Sequence, residues 1–309
     1  MRLEELVETV ADVLRATGYR VERISYPDSH DKRSIDVVAS GGRSEGLLVK
    51  VVNDVDDLSV TDLRELHGCS SALRVPGLIV AERDSGVEID PVAAHEKMGT
   101  YAVSIEGLRA VLEIGVYVIR KHNNYYMRVD GKKLRMRRLE RGYSLGDVAS
   151  YLSVSRRSVY LYEQEESLVS LSVALKLMEL FGEDIFKPFD IIEGQVHEES
   201  RRVYTAISQS SSRAQIARIL SSLGYDVVAT RRIPPDVVAG RGDRRRVIVV
   251  VEKKRDKNLE RRIEEAEKVA RQLRARIVAY VRDERLPPSY DVEVARSTEE
   301  FEGIVRGGE

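Results

Sequence analysis

Asp236, Glu252 and Lys254 have types and spacing that suit two carboxylates sharing a divalent metal with an ammonium beside them. Asp236 follows Pro235, and Glu252 follows the β-branched run 247–251. Two neighbouring strand ends would bring both carboxylates to one edge, where they could share Mg²⁺, a cation that prefers oxygen ligands. Side chains alternate along a strand, so Lys254 falls on the face of Glu252. Its ammonium could orient a water or meet transition-state charge there. A second constellation has different chemistry. Ser155, Arg156, Arg157, Ser158, Tyr160 and Leu161 are grouped at what reads as the start and outer face of a short helix. Arginine there can take guanine edges in bidentate fashion. Lys132, Lys133, Arg135, Arg137, Arg138 and Arg141 precede it and suit phosphate contacts, which supply affinity without base discrimination.

The second constellation needs a helical scaffold, and residues 132–183 supply its pattern. Leu134, Leu139, Leu145, Val148, Ala149, Leu152, Val159, Tyr162, Leu171, Leu175, Met178 and Leu180 are apolar at spacings suited to several short amphipathic helices. Gly142 stops the first. Ser144 predicts an N-cap for the second, with Asp147 three residues on, and Ser155 predicts the N-cap of the third. Val159 and Tyr162 point inward on that reading.

This segment resembles the Cro/lambda-repressor-like helix-turn-helix family. The resemblance rests on Leu134-Arg135, Arg138, Gly142-Tyr143-Ser144, Asp147-Val148-Ala149, Leu152, Val154-Ser155, Val159 and Tyr162-Glu163. It implies a helix laid in the major groove of double-stranded DNA and a homodimer, because one such helix reads a half-site. Leu145 stands where the family commonly has Gln.

On either side lies an α/β pattern that occurs twice. Gly18-Tyr19 and Gly224-Tyr225 each end a helix and start a strand. Asp36-Val37-Val38-Ala39 then matches Asp236-Val237-Val238-Ala239, and GLLVKVV matches VIVVVE. The element order α-β-β-β-α-β-β-α predicts a mixed-sheet sandwich in each copy. The second copy resembles the PD-(D/E)xK nucleases, and within them the archaeal Holliday-junction resolvases, through Pro235-Asp236 and Glu252-Lys253-Lys254. That resemblance implies catalytic Asp236, Glu252 and Lys254, with Mg held by Asp236 and Glu252. Ser212 stands near the place of the resolvases' helical Glu. Val52 and Asp54 occupy the first copy's matching positions, which makes that copy a non-catalytic relic. The reading favoured for the second copy is an inactive scaffold whose strand-end charges pair with neighbours such as the following helix. The following helix, Asn258 to Arg276, mixes Arg261, Arg262, Lys268, Arg271 and Arg274 with Glu260, Glu264, Glu265 and Glu267, a pattern that predicts a solvated face.

The fold class expected is α/β plus all-α: two duplicated restriction-endonuclease-like modules, residues 1–115 and 194–309, flanking a helix-turn-helix domain over 116–193. The segment Val116 to Lys133 reads as a hairpin interrupted at His122-Asn123-Asn124, a strut between domains or a wing on DNA. Glu193 to Gln209 reads as a linker and helix start. The chain's 309 residues suit two or three domains. Charged residues make up 33% but the net charge is only -1, so any basic surface must be local. Cys69 is the one cysteine, which excludes an internal disulfide and fits a reducing cytoplasm. His67 lies near it, without metal-ligand spacing. The start, MRLEELVETV, reads as an acidic amphipathic helix, not a signal peptide, and no apolar run is long enough to span a bilayer. The full arrangement resembles an archaeal family of helix-turn-helix transcriptional regulators. That resemblance implies a sequence-specific DNA-binding regulator whose flanking modules serve dimer, partner or ligand contacts. The alternative is a metal-dependent nuclease targeted by the helix-turn-helix.

Overall fold

The structure is a computed structural model that describes residues 2–196, 211–242, 245–253, 256–282, 286 and 290–307. Lys254 and residues 197–209 of the expected linker lie outside them. Residues 191–196 are helical.

The chain opens with α1 (Leu3–Ala16), which buries Leu6, Val7, Val10, Ala11 and Leu14 at helical spacing. Gly18, at φ +89°, turns it into β1 (Tyr19–Arg23). There follow β2 (Val37–Gly41), β3 (Ser44–Asp54), α2 (Val60–Leu73), β4 (Gly77–Asp84), β5 (Val87–Glu88), β6 (Ala93–Lys97), β7 (Thr100–Val103) and α3 (Ile105–Glu113). The central unit comprises β8 (Val118–Lys121), β9 (Asn124–Val129), α4 (Gly131–Glu140), α5 (Leu145–Leu152), α6 (Arg156–Glu163), β10 (Val169–Ser170), α7 (Leu171–Phe181), β11 (Phe186–Lys187) and α8 (Ile191–Val196). The last unit is α9 (Ser212–Ser222), β12 (Asp226–Ala229), β13 (Val237–Arg241), β14 (Arg245–Val251), α10 (Leu259–Leu273), β15 (Arg276–Tyr280), β16 (Glu293–Ala295) and α11 (Thr298–Gly307).

The two flanking sheets are wound alike. In the first, β1, β2 and β3 pair antiparallel, and β3, β4 and β7 pair parallel. The path β12-β13-β14-β15-β16 repeats those directions. Among the described residues only the first sheet carries the added strands β5 and β6, which the sequence pattern did not indicate.

Each sheet is covered on both faces. Leu47, Val49 and Val51 of β3 pack with α1 and α3, while Leu48 and Val52 point the other way. In β14, Val247, Val249 and Val251 pack with α9 and α11, while Ile248 and Val250 point the other way. The second faces join in a single core. α2 lies across β12 and β13, and α10 across β1 and β2. Each Leu or Ile buried there stabilises by about 1.5–3 kcal/mol, so the two sheets hold each other. Polar ties cross the same boundary. Glu65 accepts the backbone N–H of Arg231 at 2.8 Å and of Arg232 at 3.1 Å, and Glu265 accepts that of Ser25 at 2.8 Å. Burial pushes the Glu65 carboxyl up despite these bonds. A Cβ on Gly240 would fall 1.8 Å from the backbone oxygen of Ala72, so only glycine permits this approach.

α10 keeps the solvated charged face expected of it at Glu260, Arg261, Glu264, Arg271 and Arg274, while Leu259, Ile263, Ala266, Val269 and Leu273 seat its opposite face between the sheets. Arg262 and Glu265 are buried with them, each hydrogen-bonded.

The hairpin is a strut. Its turn, His122 and Asn123, is left-handed at both residues, the geometry that matches strand twist. β8 pairs with β6 of the first sheet, while β9 pairs with β10 and β11 of the helical unit.

Candidate nucleic-acid interface

The central helices pack around Leu134, Val148, Ala149, Leu152, Val159, Ala174, Leu177 and Phe181. Within α7 the buried stripe is Ala174, Leu177 and Phe181, whereas Leu171 and Leu175 face outward. The helix is apolar nearly all round, so spacing alone could not choose its stripe. Leu139 is also exposed, for α4 turns Leu134 and Arg138 inward instead.

Capping follows the sequence reading. Ser144 Oγ accepts the N–H of Asp147 at 3.1 Å, and Asp147 Oδ2 accepts the N–H of Ser144 at 2.8 Å. This reciprocal pair closes the first turn of α5. Ser155 Oγ accepts the N–H of Ser158 at 3.0 Å and caps α6, and the two hydroxyls lie 2.8 Å apart. Val159 and Tyr162 point inward.

The outer face of α6 then carries Arg156, Arg157 and Tyr160, all exposed, with Leu161 half-buried beside them. Tyr160 keeps 49% of its surface. Lys132, Lys133 and Arg135 are exposed on α4. Lys133 Nζ also donates to the Asp184 carbonyl at 3.1 Å.

Arg138 is a correction. It is 7% exposed, and its guanidinium meets Glu163 at 2.5 and 3.0 Å and the carbonyl of Tyr143 at 3.0 Å. The side chain ties α4 to the end of α6 and offers nothing to a phosphate. Arg137 pairs with Asp184 at 3.0 Å, and Arg141 lies 5.8 Å over the Phe181 ring. Sequence reading missed Glu163 as Arg138's partner.

The nuclease-like residues are held differently from the expectation. Asp236 is buried just before β13, and its Oδ2 accepts the N–H of Val251 at 2.8 Å. Arg213 meets Oδ1 at 3.0 Å, Arg262 bonds Oδ2, and Lys253 Nζ stands 3.7 Å from Oδ1. Burial holds the Lys253 ammonium below its ordinary range, with Asp236 opposing. Glu252 Oε2 accepts the N–H of Arg282 at 2.6 Å. The donor set does not fit a divalent cation, because guanidinium groups already occupy both oxygens of Asp236. Among the described residues no group of three or more His, Cys, Asp and Glu is placed to hold a metal ion.

Asp36 sits in the same way before β2. Its Oδ2 accepts the N–H of Val51 at 2.9 Å. Lys50, His30 and Arg33 surround it at 3.0, 3.1 and 3.3 Å. Burial pushes this carboxyl up, but His30, Lys50 and the Val51 N–H together hold it below the usual carboxylate range. Asp54 accepts the N–H groups of Asp56, Ser85 and Gly86 and serves a loop. Cys69 is fully buried, which pushes its thiol up.

Fold and site together define a mixed α/β protein with a helix-turn-helix unit carried at the edge of its first sheet. A family model described as a PD-(D/E)XK superfamily domain matches residues 3–118, and one described as helix-turn-helix matches residues 134–187. Three archaeal relatives are each provisionally named a helix-turn-helix-type transcriptional regulatory protein. That of Thermococcus gammatolerans is 31% identical over 88% of this chain and 83% of its own. That of Aeropyrum pernix is 30% identical over 82% of this chain and 78% of its own. That of Sulfurisphaera tokodaii is 28% identical over 93% and 94%. The chain belongs to this family of helix-turn-helix-type transcriptional regulatory proteins. No solved structure matches it. Among the described residues no helix is long and apolar enough to cross a membrane.

Proposed function

We propose that this chain is a sequence-specific regulator that reads double-stranded DNA with α6. The observation that carries this reading is the outer face of that helix. Arg156, Arg157 and Tyr160 stand exposed on a helix whose other side is locked by Val159, Tyr162 and the Arg138–Glu163 pair. Lys132, Lys133 and Arg135 hold phosphates, and Ser155 and Ser158 bring the N-terminus of α6 to the backbone. Binding measured by gel shift over a salt series should weaken steeply as salt rises. Replacing Arg156 and Arg157 together by Ala should lower the ratio of specific to random affinity at least about tenfold, since each bidentate pair supplies about 1–3 kcal/mol of discrimination. An unchanged ratio would sink the assignment.

The flanking modules, residues 1–115 and 194–309, are copies of one unit placed before and after the helix-turn-helix domain, residues 116–193, in the chain. Register supports this: Val37 pairs with Val49 and Val237 with Val249, each number rising by 200. Glu65 and Glu265 bind backbone across the shared core from matching places. α2 and α10 each cover the other module's sheet within one chain, so a homodimer on two half-sites forms through another surface. Light scattering of the DNA complex should then give two chains per two half-sites. The protein works in the cytoplasm, where its DNA is.

The nuclease reading is less well supported, because Asp236 is clamped by cations. Mg²⁺-dependent cleavage of duplex or branched DNA that disappears in Asp236→Ala and Glu252→Ala would restore it.

A further inference from the structure

We infer that Gly146 is a specificity-determining position, because its missing side chain seats the guanidinium of Arg156. This rests on the DNA-reading function above. Gly146 lies in the first turn of α5, and nothing in its backbone asks for glycine: its φ is not in the left-handed region. In a helix, glycine is less favourable than alanine because it surrenders more backbone freedom on folding. The structure offers a reason for it on the neighbouring helix. A Cβ built on Gly146 would lie 3.0 Å from Arg156 Nε, 3.1 Å from its Nη2 and 3.2 Å from its Cζ. Three guanidinium atoms at almost equal distance mean that the group faces the bare backbone. Asp147 stands next to this seat. Its carboxyl is held below the usual range first by its hydrogen bonds with Ser144 and further by the charge of Arg156.

The seat has a consequence for recognition. Arginine reads guanine by a planar fork, and an unsupported side chain must give up considerable rotamer freedom to aim it. A guanidinium laid on α5 is already confined at the junction of the two helices. Any side chain at residue 146 displaces it, and the displacement is cheap because the far end of a flexible chain moves. The fold therefore tolerates the change while the aim of Arg156 does not.

The test is selection and sequencing from a random duplex library with the full-length parent, Gly146→Ala and Arg156→Ala. Thermal unfolding and affinity for a random duplex are measured on all three. Gly146→Ala should keep or slightly raise Tm and bind random duplex within about twofold of the parent. It should flatten base preference at the same positions as Arg156→Ala, with the specific-to-random ratio falling about tenfold, the discrimination of one bidentate contact. Gly146→Ala that keeps the parent's preferences while Arg156→Ala loses them overturns the seating role alone. Arg156→Ala that selects the same sites as the parent overturns both the seat and the base-reading role of Arg156. A parent with no base preference overturns the regulator reading itself.

Discussion

Asp36 and Asp236 each precede the second strand of a sheet, and each accepts a backbone N–H from the third, Val51 or Val251. Their cations have different origins. Lys50 projects from β3 itself, with His30 and Arg33 from the long loop before β2. In the second module the strand residue at the matching register is Val250, and the charge comes from helices, Arg213 of α9 and Arg262 of α10. Backbone geometry thus fixes where a carboxylate is buried, while the neutralising groups can arrive from any element that packs nearby. That freedom explains how two carboxylates at one place in a sheet can be neutralised by different side chains.

Four measurements would break or sharpen this contrast. The largest effect should come from Asp236→Ala, which takes from Arg262, only 1% exposed, one of the two carboxylates that hold it, Asp256 being the other. Breaking a buried pair on one side costs about 3–5 kcal/mol, to be read by chemical denaturation; a loss below about 1 kcal/mol would mean that the clamp is not structural. Glu163→Gln in the helical unit should cost somewhat less, about 2–4 kcal/mol, since the amide can still accept one bond from Arg138. Acid is the third probe. The folded pKa of Asp36 lies below its unfolded value, so its contribution is fully present above about pH 4 and is lost as pH falls through the lower folded value. Asp36→Asn should therefore flatten the fall in stability below about pH 4, and parallel curves for variant and parent would contradict the assignment. Glu252→Ala should be the mildest, within about 0.5–1.5 kcal/mol, because the hydrogen bond that its oxygen accepts from the Arg282 N–H lies at a half-exposed strand end.

Legibility in the sequence followed range. Ser144 with Asp147, and Ser155 with Ser158, are partners three residues apart, so spacing alone announced both caps. The helix-turn-helix core was readable for the same reason at Val148, Ala149, Leu152 and Val159. Arg138 looked like a phosphate ligand because its partner, Glu163, lies on another helix and burial is decided by packing. Arg262 was hidden among like residues on α10, where only the approach of two sheets distinguishes it from Arg261. The strand β6, read as AAHEK, has weak β propensity and exists because β7 and β8 flank it. Tertiary context supplied what local pattern lacked.

The neck between the first sheet and the reading helix is a ladder of backbone hydrogen bonds and not a tether. β8 belongs to one body and β9 to the other, with a two-residue turn between them. Such a joint resists swivelling, so the angle at which α6 enters a groove is set by the bulk behind it. A duplex laid along α6 would have to clear that bulk on either side of the contacted bases.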